Sequence, residues 1–134
     1  MSVRNINKGY YDLSREATTV QLTFTGAATI TVPCRFTVIN GTVTCFIPTF
    51  SSMATVNAYL VTYIPAQFLP ATSSLKYTTP SLMIVGNTQV PGVVAYNLIS
   101  GQLMMFPSLD QTVVFTNGQS CGSFENITLT WNLI

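Results

Sequence analysis

The fold is decided by residues 34–47, which read CRFTVINGTVTCFI. Asn-Gly is the strongest two-residue signal for a type I′ hairpin turn, because both turn positions require a positive φ. With Asn40 and Gly41 as the loop, Ile39 faces Thr42 and the pairing continues outward from there. A shift of one residue would mix the two faces of the hairpin, so the register is well specified. One face then carries three wholly apolar pairs: Val38 with Val43, Phe36 with Cys45, and Cys34 with Ile47.

The same two-residue alternation extends in both directions from this hairpin. Apolar residues alternate with polar ones over residues 20–24 and again over residues 127–133, where Trp131 falls among the apolar positions. Several short alternating runs separated by turn signals are typical of a β-sandwich or a β-barrel. The sequence therefore predicts an all-β domain with Trp131 largely buried, either in its core or at a subunit interface. The turn signals are Asn40-Gly41, Gly86-Asn87, Pro91-Gly92, Ser100-Gly101 and Asn117-Gly118.

The composition excludes several classes of protein. The 134 residues are 48% hydrophobic and only 7% charged, with a net charge of +1. Nucleic-acid binding requires clustered Lys and Arg, and disorder requires low hydrophobicity with high charge, so we expect neither. The longest apolar runs have four residues, as in residues 82–85, far short of the about 20 needed for a membrane span. The 20 threonines supply much of the polarity and favour pleated sheet.

The charges divide the chain into an arm and a body. Five of the nine charged residues lie within residues 1–16, and the other four are spread over the rest. We interpret residues 1–17 as an N-terminal arm and residues 18–134 as the sandwich domain. The arm either anchors the protein to an acidic partner surface or is a frayed terminus without a role. No apolar segment in it predicts a secretory signal. The candidate anchor residues are Arg4, Lys8 and Arg15.

Few residues of the body carry chemistry. Histidine is absent, which removes the commonest general base and zinc ligand. Asp110 and Glu125 are the only acids of the body, and we interpret them as isolated surface acids rather than a glycosidase pair. Ser73-Ser74-Leu75-Lys76 spells a serine-acylase motif without its companion motifs, and we interpret it as a polar loop between Pro70 and Pro80. We therefore expect no catalytic residues, no cofactor and no metal: the chain is predicted not to be an enzyme.

The three cysteines are predicted to be free thiols. An odd number without a CxxC pair argues against a secreted disulfide scaffold. In the hairpin register, Cys34 and Cys45 are diagonal neighbours whose Cα atoms lie beyond comfortable disulfide reach. Buried thiols that pack as small hydrophobic groups are expected instead.

Two tyrosines are the candidate contact residues of the surface. Tyr59 and Tyr63 share one face of a predicted strand, opposite Ala58 and Leu60. On a surface with so little charge they could stack on sugars or pack against a neighbouring subunit. Packing between strands within the domain is an equally good interpretation.

The body resembles the small β-sandwich head domains at the C-termini of phage tail-fibre proteins and of collagen-like proteins of large DNA viruses. The resemblance spans roughly residues 20–134 and rests on turn and proline patterns. These are the hairpin of residues 36–44 followed by Ile47-Pro48, an uncharged Ser/Thr loop, a strand ending in residues 63–70 (YIPAQFLP), a strand after Ser100-Gly101, and the terminal strand of residues 127–133 (ITLTWNL).

This resemblance implies a jelly-roll-like antiparallel β-sandwich that trimerises and either attaches to a host surface or decorates a virion. We therefore expect a viral structural protein, a capsid-associated or fibre-head domain located in the virion. Its expected partners are two further copies of itself and other capsid or fibre proteins. Because a short arm rather than a fibre shaft precedes the domain, a standalone capsid-associated protein is favoured. The alternative is a carbohydrate- or receptor-binding attachment module that contacts host-surface glycan.

The arm is expected to be dispensable for folding, because no apolar periodicity ties residues 1–17 to a core. Deleting residues 2–16 should leave the melting temperature, followed by circular dichroism, nearly unchanged. If the arm is an anchor, the same deletion should abolish incorporation into particles. A truncated protein that fails to fold would mean that the arm is a strand of the sandwich.

Overall fold

The computed structural model describes residues 16–28, 30–71 and 76–133. Short alternating segments of Thr, Val and aromatic residues form strands in all of these ranges. In chain order the strands are β1 (Glu16–Thr23), β2 (Thr31–Ile39), β3 (Thr42–Ile47), β4 (Phe50–Met53), β5 (Leu60–Tyr63), β6 (Lys76–Val85), β7 (Thr88–Asn97), β8 (Gln102–Phe106), β9 (Ser120–Ser123) and β10 (Ile127–Asn132), with a 3₁₀ turn at Ala66–Phe68 between β5 and β6.

The strands form two antiparallel sheets. The first, sheet A, has the order β1-β2-β3-β10, and the second, sheet B, has the order β4-β9-β6-β7-β8-β5. The chain passes from sheet A to sheet B after β3 and returns after β9. The inner faces of the two sheets enclose one apolar core, which confirms the predicted all-β sandwich. Over the described ranges no helix has the length and apolarity to cross a membrane.

The predicted hairpin is confirmed with its register. Ile39 pairs with Thr42, and the pairing continues to Arg35 with Phe46. Asn40 and Gly41 have φ values of 51° and 79°, as a type I′ turn requires. The apolar face of this hairpin lies in the core, where five of its six side chains are buried and Val38, next to the turn, is half-buried.

The Pro91-Gly92 turn prediction is wrong, because both residues lie inside β7. The N–H of Leu82, which pairs with Pro91, donates to Oε1 of Glu125 (3.0 Å), and the carbonyl of Leu82 accepts from the N–H of Phe124 (3.0 Å). Both main-chain groups of Leu82 therefore point away from β7, so this pair makes no ladder hydrogen bonds. The nitrogen of Pro91 faces the other side, beyond the end of β8, and its missing N–H leaves the sheet intact.

Gly92 is needed in β7 for space rather than for a turn. A Cβ atom at this position would overlap the carbonyl oxygen of Phe106 and the side chain of Met83. The actual turn between β6 and β7 is Gly86-Asn87, where Gly86 has a φ of 60°. The predicted loop between Pro70 and Pro80 is also shorter than expected, because residues 76–80 belong to β6.

The predicted arm meets the sandwich at its last two residues. β1 begins at Glu16, which pairs with Val38, and Ala17 pairs with Thr37. Residues 1–15 lie outside the described part of the chain. A deletion that leaves β1 complete therefore ends at residue 15.

Trp131 is buried in the core, as expected, with 3% of its surface exposed. Its indole Nε1 donates a hydrogen bond to the carbonyl of Phe68 in the 3₁₀ turn (2.7 Å). The ring of Phe68 stacks on that of Phe36, with centroids 4.4 Å apart and planes within 4°. This chain of contacts joins the last strand of sheet A to the segment that leads from β5 to β6.

The cysteines are free and buried, also as expected. Burial raises the pKa of the Cys34 thiol to about 12 and that of Cys121 to about 11, and it raises the pKa of Cys45 further. Desolvation disfavours the thiolate, so these side chains pack as small apolar groups.

Replacing Trp131 with alanine should lower the free energy of unfolding by roughly 3–5 kcal/mol, the range for truncation of large buried aromatic residues. Urea denaturation at two protein concentrations measures the loss. A core position predicts the same loss at both concentrations, whereas an interface position makes it concentration-dependent. The matched control is Thr130→Ala on the exposed face of the same strand, which should stay within about 0.5 kcal/mol of the parent. A loss below 1 kcal/mol for Trp131→Ala would contradict the assignment.

Candidate functional site

The two sheets present different outer faces. On sheet A, alternate residues of β2, β3 and β10 point outward, and Thr37, Thr44 and Thr130 form one continuous row. Arg35 is the only charged residue of these three strands. Threonine hydroxyl groups are readily hydrated, and the exposed apolar side chains of this face, Ile39 and Phe46, lie on opposite sides of the threonine row.

The outer face of sheet B is less polar and more irregular. Its central part consists of Val93, Ala95 and Phe106, which are buried although they lie outside the main core. The connection from β8 to β9 runs close to them, since Leu109 shares a depression with Pro91 and Gln111 lines a groove with Ala95. The half-buried residues Tyr59 and Met104 pack against them. This second apolar cluster divides the outer face into two open regions, one at each end.

The candidate tyrosines both lie on the β5 side of this outer face. Tyr59 is half-buried, and its ring packs against that of Phe106 with centroids 4.6 Å apart. Tyr63 is 58% exposed at the end of β5 and pairs with Gln102 of β8. Tyr59 thus packs within the domain, whereas Tyr63 is open to a ligand or a partner.

A groove of about 350 Å³ lies at the Tyr63 end of the face. Strand alternation directs the side chains of Lys76, Thr78, Asn97 and Gln102 outward into this region. Tyr77 and Tyr96 point to the opposite side, where their ring centroids are 5.3 Å apart and Tyr96 approaches Trp131. The residues that line the groove are Lys76, Tyr77, Thr78, Ala95, Tyr96, Asn97, Gln102, Met104 and Gln111.

Gln111 reaches the groove from the loop between β8 and β9. The loop is braced from within: Oδ1 of Asp110 accepts hydrogen bonds from the N–H (3.1 Å) and hydroxyl (2.7 Å) of Thr112, and Oγ of Ser108 accepts from the N–H of Val113 (3.1 Å). These hydrogen bonds from Thr112 hold the pKa of Asp110 below its usual value. Gln111 itself has a φ of 62°, in the left-handed region, which costs an ordinary residue roughly 1–2 kcal/mol.

The other end of the face carries a cluster that we call the apolar patch. Leu109 is 60% exposed and Phe124 is 50% exposed. Leu109 shares a shallow depression of about 200 Å³ with Pro91 and Leu82, and Phe124 shares one of about 360 Å³ with Ile84. The apolar patch consists of Leu82, Ile84, Pro91, Leu109 and Phe124.

The one acid at the edge of the apolar patch is already engaged. Oε1 of Glu125 accepts from the N–H of Leu82 (3.0 Å) and lies 3.5 Å from the hydroxyl of Ser81. Ser123 in turn donates its hydroxyl hydrogen bond to the carbonyl of Glu125 (2.6 Å). Glu125 therefore joins β6 to the segment after β9, as a structural residue.

The described part of the outer faces carries few ionisable groups. Within residues 16–28, 30–71 and 76–133, no group of three or more His, Cys, Asp or Glu side chains lies close enough to hold a metal ion. The thiols are buried, and their raised pKa values disfavour the nucleophilic thiolate. Sheet B instead offers carboxamides, one ammonium group, an exposed tyrosine and an apolar surface.

The sequence alone predicted Tyr63 as a contact residue, but it did not predict the groove or the apolar patch. The possible anchors Arg4, Lys8 and Arg15 lie outside the described residues. Alternation along β6 and β7 could have placed Lys76 beside Asn97, but interpreting Pro91-Gly92 as a turn divided β7. Nothing in the local sequence brings Gln111, from a distant loop, to the same place.

No family model matches the chain, and no curated protein is significantly similar to it. The candidate functions are therefore compared on the residues of the two outer faces of the sandwich.

Proposed function

We propose that this chain is a viral structural protein: a capsid-associated or fibre-head β-sandwich that assembles into a homotrimer on the virion surface. The observation that carries the proposal is the apolar patch on sheet B. Leu109 and Phe124 expose 60% and 50% of their surfaces, and each lines a depression with an apolar residue of β6, Leu82 or Ile84, on the same outer face. Contiguous exposed apolar surface of this kind marks an interaction site.

The occupant that fits the apolar patch best is another copy of the same chain. The patch has no charged member, and Glu125 at its edge is held by Leu82 and Ser81. Two such surfaces can meet without like-charge repulsion and without desolvating a free ion. The chain also has little charge with which to stay soluble as a monomer, at 7% charged residues. Closed cyclic symmetry is the usual way to cover such a patch on every subunit.

Two further features of the sequence support a virion component over other oligomers. The resemblance to phage and large-DNA-virus head domains implies a trimer. The charged residues concentrated before residue 17 suit an anchor to other capsid or fibre proteins. Arg4, Lys8 and Arg15 are the proposed contacts, with an acidic partner surface opposite them.

An attachment module is the second candidate, and the groove beside Tyr63 is the observation that favours it. Its volume of about 350 Å³ lies at the lower end of the range for small-molecule sites, roughly 300–1,000 Å³. Its polar lining and exposed tyrosine suit a host-surface carbohydrate. Both roles are compatible in one particle, because the groove and the apolar patch lie at opposite ends of one face.

Charging the apolar patch should separate the subunits. The double variant Leu109→Asp, Phe124→Asp should be a folded monomer in native mass measurement at micromolar concentration, whereas the parent should be a trimer. The matched control is Ile39→Asp, Phe46→Asp, which charges similarly exposed residues (43% and 38%) on sheet A. The control should remain a trimer.

A parent protein that is a monodisperse monomer at micromolar concentration would contradict the oligomer. A control that dissociates while the patch variant stays assembled would move the interface to sheet A. Circular dichroism of each variant verifies that it is folded. Detection of this chain in the surface lattice of purified particles is the direct test of the virion role.

A further inference from the structure

We propose that the groove between Lys76, Gln102 and Gln111 binds an acidic saccharide, a sugar ring that carries hydroxyl groups and one carboxylate. This inference rests on the attachment role proposed above and names the ligand class of its site. The sequence alone did not predict Lys76, Gln102 or Gln111 as ligand contacts.

The carboxamides of the groove match the hydroxyl groups of a sugar. The side-chain amides of Gln102 and Gln111 have no hydrogen-bond partner within the described ranges, and the hydroxyl of Thr78 adds a third polar group. Oδ1 of Asn97 already accepts from the N–H groups of Ile99 (2.8 Å) and Ser100 (3.4 Å). Its NH₂ group is thereby left as a donor of known orientation. A carboxamide both donates and accepts, which pairs well with adjacent hydroxyl groups.

The single charge of the lining selects for an acid. Lys76 is exposed at the start of β6, and it forms no ion pair with the residues that the structure describes. The nearest acid in sequence to Gln111 is Asp110, whose carboxylate is occupied by Thr112. One ammonium group suits one carboxylate, whereas a nucleic acid would require several cations to replace its counterions.

The walls and floor of the groove suit the apolar face of a sugar ring. Tyr63 does not line the groove itself, but it is 58% exposed and pairs in register with Gln102, which does. Ala95 and Met104 pair with each other across β7 and β8 and form an apolar floor. Tyrosine combines an apolar ring with a polar tip, which allows it to cover a C–H face while its hydroxyl stays hydrated.

The groove is held ready before a ligand arrives. Hydrogen bonds of Ser108, Asp110 and Thr112 hold the loop, and Gln111 lies between them with a φ of 62°. A non-glycine residue in the left-handed region persists only when its surroundings enforce it, and such residues cluster at ligand sites. A preorganised contact loses less freedom on binding.

Ligand-observed NMR titration of the full chain tests the inference with matched sugars. The probes are glucuronic acid, galacturonic acid and N-acetylneuraminic acid, with glucose and galactose as the neutral counterparts of the first two. We expect at least one acid to bind with a Kd on the order of millimolar. Its neutral counterpart should bind roughly three- to fivefold more weakly, the effect of one exposed ion pair.

The variants assign the effect to individual residues. Lys76→Gln should remove the preference for the acid, and Lys76→Arg should keep it. Gln111→Ala and Tyr63→Ala should weaken the acid and the neutral sugar alike. The control Arg35→Gln removes an exposed cation from the opposite sheet and should change nothing.

Three results would overturn the inference, and they differ in what they leave standing. Equal binding of acidic and neutral sugars, unchanged by Lys76→Gln, would leave a carbohydrate-binding module without acid selectivity. Failure of every sugar to bind would remove the carbohydrate role as well. Loss of the acid preference in Arg35→Gln would place the site on sheet A and would also contradict the groove.

Discussion

The contact between Trp131 and Phe68 is the interaction on which the two-sheet arrangement depends most. The indole N–H of Trp131 donates to the carbonyl of Phe68 (2.7 Å), and the ring of Phe68 stacks on Phe36 (4.4 Å). Trp131 and Phe36 belong to sheet A, whereas Phe68 lies between two strands of sheet B. The contact therefore joins the sheets by a buried hydrogen bond, which is stronger in a low-dielectric interior than in water.

Because the inner faces of the two sheets form the core, only their outer faces are available to bind a partner or a ligand. The two outer faces differ in the side chains that they present. Sheet A presents a row of threonines, Thr37, Thr44 and Thr130, with Ile39 and Phe46 exposed singly on opposite sides of it. Sheet B carries a second buried cluster, Val93, Ala95 and Phe106, on its outer face, with an open region on either side of it. The apolar patch favours subunit contact, and the polar groove favours a small ligand. One face can thus serve assembly and attachment together.

The sequence predicted those parts of the fold that depend on neighbouring residues. The hairpin register followed from Asn40-Gly41, because a two-residue turn and strict alternation leave one arrangement that segregates the apolar side chains. The burial of Trp131, Cys34 and Cys45 followed from the same alternation along their strands. That all three cysteines are free thiols followed from their odd number and their spacing. The turn prediction at Pro91-Gly92 was wrong because a proline fits into a strand wherever its nitrogen faces no hydrogen-bonding partner. Whether Pro91 meets this condition depends on where β8 ends.

The groove was beyond prediction for a different reason. Lys76, Gln102 and Gln111 come from β6, β8 and a loop, and only the order of strands in sheet B brings them together. The same holds for Leu109 and Phe124 of the apolar patch, which lie on two separate connections of the chain. Of the candidate residues, Tyr63 could be placed on an exposed face by alternation alone, whereas the packing of Tyr59 on Phe106 is a long-range contact.

In the proposed assembly, the apolar patch of sheet B, rather than the outer face of sheet A, contacts the other subunits. Hydroxyl-radical footprinting of the native assembly, compared with the protein diluted until it dissociates, measures this for individual side chains. We predict that Leu109 and Phe124 become several-fold less reactive on assembly, while Ile39 and Phe46 react equally in both states. Protection of Ile39 and Phe46, with Leu109 and Phe124 unchanged, would contradict the account.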